Sequence, residues 1–455
     1  MPAPNETWSS RAGFVLATIG SAVGLGSIWK FPYEVGENGG GGFVLFYLLG
    51  LAVIVAPLML SEFAIGRHGR ADARLSIASV ARDHGASRSW GGIGTLGVVT
   101  SALILSFYSV IGGWALAYAL GTLWSGLPGG TAAVVQARFD GLLASSVEMA
   151  AYHTVFMALT AAIVGRGVAA GIERAAKILT PALAALMVVL AAYSMIEGDV
   201  AATLRYLFAF DPSRITARTV LEAVGLGFFS IGVGLAVMVT YAAYAEADID
   251  LSRAAITAIV CDTAISFLAG FAVFPIVFAN GLDPASGPGL MFVTLPLAFA
   301  AMPAGTAAAV AFFLLLFIAA LASAISMLEM PVAFARSNLG WTRGKAVAIS
   351  ATLIWLAGFF SVFSFNLWRE WFPLSPYPLF ASATFFDLLD YLTSNILLPL
   401  GGLLLALFAG WSLPARFLAD TLGLGRVATA LLRVALRYVV PAGILAAVLV
   451  PFFGR

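Results

Sequence analysis

The chain has 455 residues, 61% of them hydrophobic and 10% charged, and a formal net charge of +1 at pH 7, against roughly 45–50% apolar and about 25% charged residues in soluble globular domains. That composition excludes a water-soluble fold and implies the lipid bilayer as solvent, and a near-neutral chain without a basic surface excludes a nucleic-acid partner. Cys261, the sole cysteine, lies in an apolar run, so an intramolecular disulfide is excluded and the thiol reads as packing.

Met1 to Arg11 is short and polar with no basic stretch leading to a small-residue cleavage site, so no removable signal peptide is expected. Hydropathy then predicts eleven transmembrane helices at roughly 11–38, 42–66, 90–124, 147–165, 169–195, 217–246, 252–278, 304–336, 344–364, 382–410 and 428–453. The expected fold class is an all-α integral membrane protein, with residues 1–455 forming a single transmembrane domain. Arg67, Arg70, Arg74, Arg82 and Arg88 fall between spans two and three, Arg166 and Arg174 between four and five, and Arg336, Arg343 and Lys345 between eight and nine. These loops share one parity, which places the N-terminus in the cytoplasm. The loop Glu246 to Arg253, acidic where basic residues are expected, is the exception. Few lysines beside many arginines fit a GC-rich bacterial genome, hence a bacterial inner membrane.

Span one is interrupted by Gly20, Gly24 and Gly26 and span six by Gly232 and Gly234. Glycine inside a helix costs about 1 kcal/mol relative to alanine, and freed backbone groups at membrane depth are tolerated only where protein or a cavity satisfies them. The breaks occupy matching places, first and sixth, in two blocks of five spans. This is the pattern of a 5+5 inverted repeat, approximately 8–195 and 217–410, with an eleventh helix at 428–453 and a binding site between discontinuous helices. The alternative is that these glycines only let helices pack closely.

At these residues the chain resembles the neurotransmitter:sodium symporter family, with the leucine-transporter fold that also serves as a standard example of discontinuous helices. Trp8 to Gly40, with Arg11, the Gly20–Gly26 break, Phe31-Pro32 and Glu37-Asn38-Gly39-Gly40, is similar to that family's first-helix signature throughout. Further likeness lies at Glu62, Tyr108, Gly171 to Arg174, Phe228-Phe229-Ser230, Thr240-Tyr241 and Ala319 to Pro331. The resemblance covers almost the whole chain, without the twelfth helix of many members. It implies that a substrate carboxylate meets the amides of Gly24, Leu25 and Gly26 and the Tyr108 hydroxyl, while an amine meets carbonyls near Ala22, Phe229 and Ser230. Ser21 and Ser323 border this subsite. Gly24 stands where monoamine carriers place an acid, which favours a substrate that brings its own carboxylate. The side-chain subsite is implied to consist of Ile104, Phe229, Gly232, Leu235, Ser326 and Met327, a mostly apolar set suited to an aliphatic or aromatic amino acid. Gly232 and Leu235 replace bulkier residues of the leucine carrier and leave room for a larger side chain.

The same resemblance implies one or two Na⁺ ions. The first would use Ser27, Ser230, Asp262 and the Ala22 carbonyl; the second the Gly20, Val23 and Ala319 carbonyls with Ser323, the expected threonine being Ala322. Asp262 replaces a neutral amide, and Leu226 stands where a chloride-binding glutamine is expected beside Tyr47, Ser230 and Ser266. Chloride is therefore not expected, its charge being supplied by Asp262, which binds Na⁺ or carries a proton instead. Lys30 and Asp390 take the outer-gate positions above a lid of Tyr108 and Phe229. Asn5 and Asn338 take the inner-gate positions of an Arg–Asp pair, implying a neutral and weaker closure capped by Trp8 near Tyr244.

The function expected is a secondary symporter for a neutral, mostly apolar amino acid, driven by Na⁺ with H⁺ through Asp262 as a second option. A Na⁺-independent or proton-driven carrier of another small organic solute is the alternative, and a non-transporting membrane receptor a distant one. An enzyme is not expected: there is no HExxH or GxSxG, and His68, His84 and His153 are dispersed.

Overall fold

The computed structural model describes residues 6–127, 131–284 and 289–453, and these are built almost entirely of helix. In chain order the principal helices are α1 (Arg11–Ala22), α2 (Gly26–Glu37), α3 (Gly41–Gly69), α4 (Ala73–Asp83), α5 (Arg88–Ser125), α6 (Ala132–Ala144), α7 (Ser146–Gly165), α8 (Val168–Glu197) and α9 (Val200–Phe208). They continue as α10 (Ala217–Ile231), α11 (Val237–Ala243), α12 (Leu251–Ala279), α13 (Leu290–Ala300), α14 (Gly305–Leu339), α15 (Arg343–Ser364), α16 (Phe385–Ser412), α17 (Ala415–Leu422) and α18 (Arg426–Val448). Among the described residues nine are long and apolar enough to cross a membrane, ten if α1 and α2, bent by 49° at their break, count as one. The sixth hydropathic stretch is two pieces, α10 and α11, each too short to cross alone.

Burial separates a centre from a rim. The most apolar stretch of α5 is 78% buried and that of α14 72%, whereas that of α18 is only 28% buried. α5 and α14 run against each other through the middle. α5 is apolar on nearly every side, as a helix packed mostly among its neighbours must be, and its glycines set the spacing. A Cβ at Gly97 would lie 2.2 Å from the Leu235 carbonyl oxygen, and one at Gly112 2.4 Å from the Phe156 ring. Small residues let backbones approach where burial of apolar surface gives no driving force in lipid.

Five short helices (α4, α6, α9, α13 and α17) occupy what hydropathy left as connections. α4 begins on a cap, Asp72 accepting from the Arg74 amide at 3.1 Å. Burial pushes the Asp72 carboxyl above its usual range. The acidic 246–253 stretch also has its counterpart in space: Arg11 pairs with Asp248 at 3.0 Å, and Arg67 donates to the carbonyls of Glu246 and Ile249. The positive charge missing from that loop comes from α1 and α3.

Candidate functional site

Two interrupted helices meet at one place. α1 stops at Ala22, where Val23 turns to extended backbone (ψ 97°) and its amide bonds back to the Ile19 carbonyl at 2.7 Å. α10 stops at Gly232, and Gly232, Gly234 and Ala236 all have positive φ (71°, 88° and 57°) before α11 begins. Glycine takes that region freely, whereas for Ala236 it costs roughly 1–2 kcal/mol. The surroundings hold the unwound segment. Glu62, fully buried on α3, accepts from the Gly234 amide at 2.8 Å and the Met238 amide at 3.2 Å, so its carboxyl oxygens satisfy donors the break leaves orphaned. The two breaks touch: a Cβ on Gly26 would lie 2.8 Å from Ser230 Cα.

Between them lies a cavity of about 50 Å³. All the residues expected around the substrate line it except Ala22, whose side chain is buried elsewhere; Ile231, Val237 and Leu398 line it as well. α5 presents Ile104 and Tyr108, and α14 presents Ser323, Ser326 and Met327, each set at i, i+3 or i+4 spacing on one helix face. The Leu25 amide donates to the Tyr108 hydroxyl at 3.1 Å. Ser21 Oγ donates to Ser326 Oγ at 2.8 Å, and Ser326 Oγ to the Ser323 carbonyl at 2.8 Å. One end of the cavity is polar and the other apolar. The first amides of α2 carry the positive end of a helix and the last carbonyls of α1 the negative end of another, an arrangement that suits both poles of a zwitterion. Gly24 is fixed by contact. A Cβ there would sit 2.6 Å from Ser323 Oγ and 3.0 Å from the Tyr108 oxygen, so no acidic side chain fits at 24 in this conformation. Gly232, in contrast, faces open space, with only Leu235 Cδ1 at 3.6 Å from its Cβ position.

Beside the cavity the Asp262 carboxylate is completely buried and surrounded by hydroxyls. Ser27 donates to it, Ser230 donates at 3.0–3.1 Å and Tyr47 at 3.3 Å, with Ser266 3.4 Å from the Tyr47 oxygen. Ser27 and Ser230 are 2.8 Å apart. No lysine or arginine among the described residues pairs with Asp262. A buried carboxylate of this kind must hold a proton or meet a cation, because three hydrogen bonds do not replace its hydration. At the second expected ion position Ser323 Oγ donates to the Ser21 carbonyl at 3.3 Å, and Ala319 is buried. Thr180 Oγ1 and the Ala322 methyl lie 2.7 and 3.6 Å from the Cβ position of Gly20.

The residues expected at the gates make other contacts. Lys30 and Asp390 form no ion pair among the described residues: the Lys30 ammonium lies 4.7 Å from the Phe229 ring centre, and Asp390 accepts from Ser394 at 2.9 Å. At the Trp8 end Asn5 lies outside the described residues, and Asn338 accepts from Arg74 at 2.6 Å. A charged cluster stands at the same end. Glu6 accepts from Arg336 at 2.6 Å and from Arg343 at 2.5 Å; Arg343 also pairs with the buried Glu329 at 2.6 Å, which accepts from Tyr244 at 2.8 Å. Trp8 is buried beneath this cluster, its indole N–H donating to the Tyr241 carbonyl at 2.9 Å. Sequence reasoning missed Glu6 as a latch because its partners lie some 330 residues away.

The chain is similar to known proteins along most of its length. The sequence profile of the "Sodium:neurotransmitter symporter family" matches residues 5–139 and 143–365. The "Uncharacterized sodium-dependent transporter YhdH" of Bacillus subtilis is 37% identical over 408 residues, covering 88% of this chain and 86% of its own. An uncharacterized sodium-dependent transporter of Haemophilus influenzae is 32% identical over 90% of this chain and 89% of its own. Among solved structures, MhsT in complex with L-phenylalanine superposes with a TM-score of 0.89 at 39% identity, over 98% of this chain and 99% of that one. With the family profile spanning most of its length, this multi-pass membrane chain belongs to the sodium:neurotransmitter symporter family, a family of transporters and not of enzymes.

Proposed function

We propose that the chain is a secondary active symporter that moves a neutral, mostly apolar amino acid across the membrane by alternating access, coupled to Na⁺. The observation that carries this reading is the buried Asp262 carboxylate, without a basic partner, beside a cavity that offers helix-end amides and the Tyr108 hydroxyl at one end and apolar side chains at the other. The substrate carboxylate sits against the Gly24–Gly26 amides and Tyr108, its amine faces the α1 and α10 carbonyls, and its side chain fills the space among Ile104, Phe229, Gly232, Leu235, Ser326 and Met327. Gly232 leaves room for an aromatic ring, in keeping with the L-phenylalanine bound by MhsT.

Na⁺ at the first position is held by Asp262, Ser27, Ser230 and the Ala22 carbonyl, so Asp262 supplies the negative charge and chloride is not needed. A second Na⁺ at Gly20, Val23, Ala319 and Ser323 is held less firmly, Ala322 having no hydroxyl to offer. That absent ligand, with the proton-accepting capacity of Asp262, favours the second reading, a proton-driven carrier. Counting α10 and α11 as one broken span gives eleven spans in two inverted blocks, 8–195 and 217–410, with a helix at 428–453 after them and the N-terminus in the cytoplasm of a bacterial cell. Arginines at the ends of α3, α4, α7 and α14 support that orientation.

Uptake of a panel of amino acids by the full chain in liposomes, with Na⁺ replaced by choline and external pH varied, tests the reading. Na⁺-dependent accumulation of an apolar amino acid supports it. Uptake that follows a proton gradient and ignores Na⁺ moves the assignment to the second reading.

A further inference from the structure

A second concavity, of about 680 Å³, opens where α4 meets the start of α5. Arg74 and Leu75 of α4 form one wall, Arg88 and Ser89 the rim, and Leu96 and Val99 of α5 the floor. The groove lies outside the substrate site, and no acidic side chain lines it.

Three features give it a chemical identity. First, its cations are available: Arg88 is exposed and makes no hydrogen bond or ion pair among the described residues, and Arg74 commits one nitrogen to Asn338, leaving the rest of its guanidinium to the groove. Second, its floor lies on an uncovered face of a helix apolar enough to cross a membrane. Positions 92, 95, 96 and 99 follow the i, i+3, i+4, i+7 stripe of one helix face, which the neighbouring helices leave partly uncovered, with Val99 48% exposed. Third, the walls are fixed. A Cβ at Gly91 would lie 2.9 Å from the Arg74 carbonyl oxygen, and one at Gly94 2.4 Å from the Arg74 nitrogen, so α4 is seated directly on the α5 backbone.

We propose that this groove binds one anionic phospholipid, its headgroup phosphate between Arg74 and Arg88 with Ser89 as a further donor, and an acyl chain along Leu96 and Val99. A cationic rim at the end of a spanning helix with an apolar floor beneath it matches the two halves of such a lipid. A zwitterionic lipid carries its own cation beside the phosphate and gains less from the arginines.

The test is native mass spectrometry of the full chain in detergent, titrated with phosphatidylglycerol or phosphatidylcholine. The first phosphatidylglycerol is expected to bind at least about tenfold more tightly than phosphatidylcholine, and Arg88→Gln to lose about fivefold of that affinity. Arg166→Gln, an exposed arginine on another loop, leaves it unchanged, while Val99→Asn weakens it from the apolar side. Equal retention of the two lipids, or the same loss in Arg166→Gln, overturns the proposal. So does competition by glycerol phosphate at the lipid's own concentration, or a Val99→Asn variant of full affinity, since either leaves an anion site with no place for a tail.

Discussion

The two ends of the cavity between the broken helices are bounded by different physics. At the Trp8 end, Glu6, Arg336, Arg343, Glu329 and Tyr244 form a continuous chain of charge-assisted hydrogen bonds over a buried indole. At the Lys30 end a single ammonium rests on the face of Phe229, and Asp390 looks to its own helix. The first closure is multidentate and largely removed from water, the side chains of Arg343 and Glu329 being 12% and 0% exposed. The second is one cation–π contact, worth about 0.5–1 kcal/mol at an exposed site. The difference predicts a resting protein that favours the conformation closed at the Trp8 end and admits ligand from the Lys30 end.

Arg343→Gln should break this asymmetry most, because it leaves Glu329 buried without its cation, a change that costs about 3–5 kcal/mol. The expected outcome is faster modification of a cysteine placed at Ser21 in a Cys261→Ala background by a reagent entering from the Trp8 end, with thermal stability reduced. An unchanged modification rate would mean that the ion cluster does not hold this end shut. Glu6→Gln acts on the same cluster with less force: a charge-assisted bond contributes about 1.5–3 kcal/mol, here reduced by partial exposure. The same cysteine should react faster while the fold remains intact. Lys30→Met removes the contact on Phe229 and the attraction between the ammonium and Glu34 on the same helix. Substrate affinity should fall no more than about fivefold, and a loss of a hundredfold would show that Lys30 touches the substrate or an acid. The smallest effect is a coupling: in a double-mutant cycle of Lys30→Met and Asp390→Asn the interaction energy should be below about 0.5 kcal/mol. A larger value would restore the ion pair that the sequence led us to expect.

Sequence and structure part along the same line. The spans were legible because an apolar run long enough to cross a bilayer has no other use, and the breaks because glycine inside such a run is costly. Family likeness named most of the residues that line the cavity, since each break brings its own to it in nearly consecutive positions. Leu398 was not, because it reaches the cavity from α16 by packing across the bundle, which leaves no local signal. The Glu6 latch was hidden for a similar reason. The likeness pointed to Asn5 and Asn338 as a neutral pair and carried no sign of the ion pairs that Glu6 makes with Arg336 and Arg343. The short helices α4, α6, α9, α13 and α17 escaped hydropathy because they are too short to cross a bilayer.

The central claim is that Asp262 turns a buried negative charge into Na⁺ coupling. Its most direct test is equilibrium binding of L-phenylalanine to the purified protein in sodium gluconate, sodium chloride and choline chloride, for the wild type and Asp262→Asn. The account predicts wild-type binding in both sodium media and none in choline, with Asp262→Asn losing binding in sodium gluconate. Binding in choline as strong as in sodium, or a wild-type requirement for chloride, would contradict it.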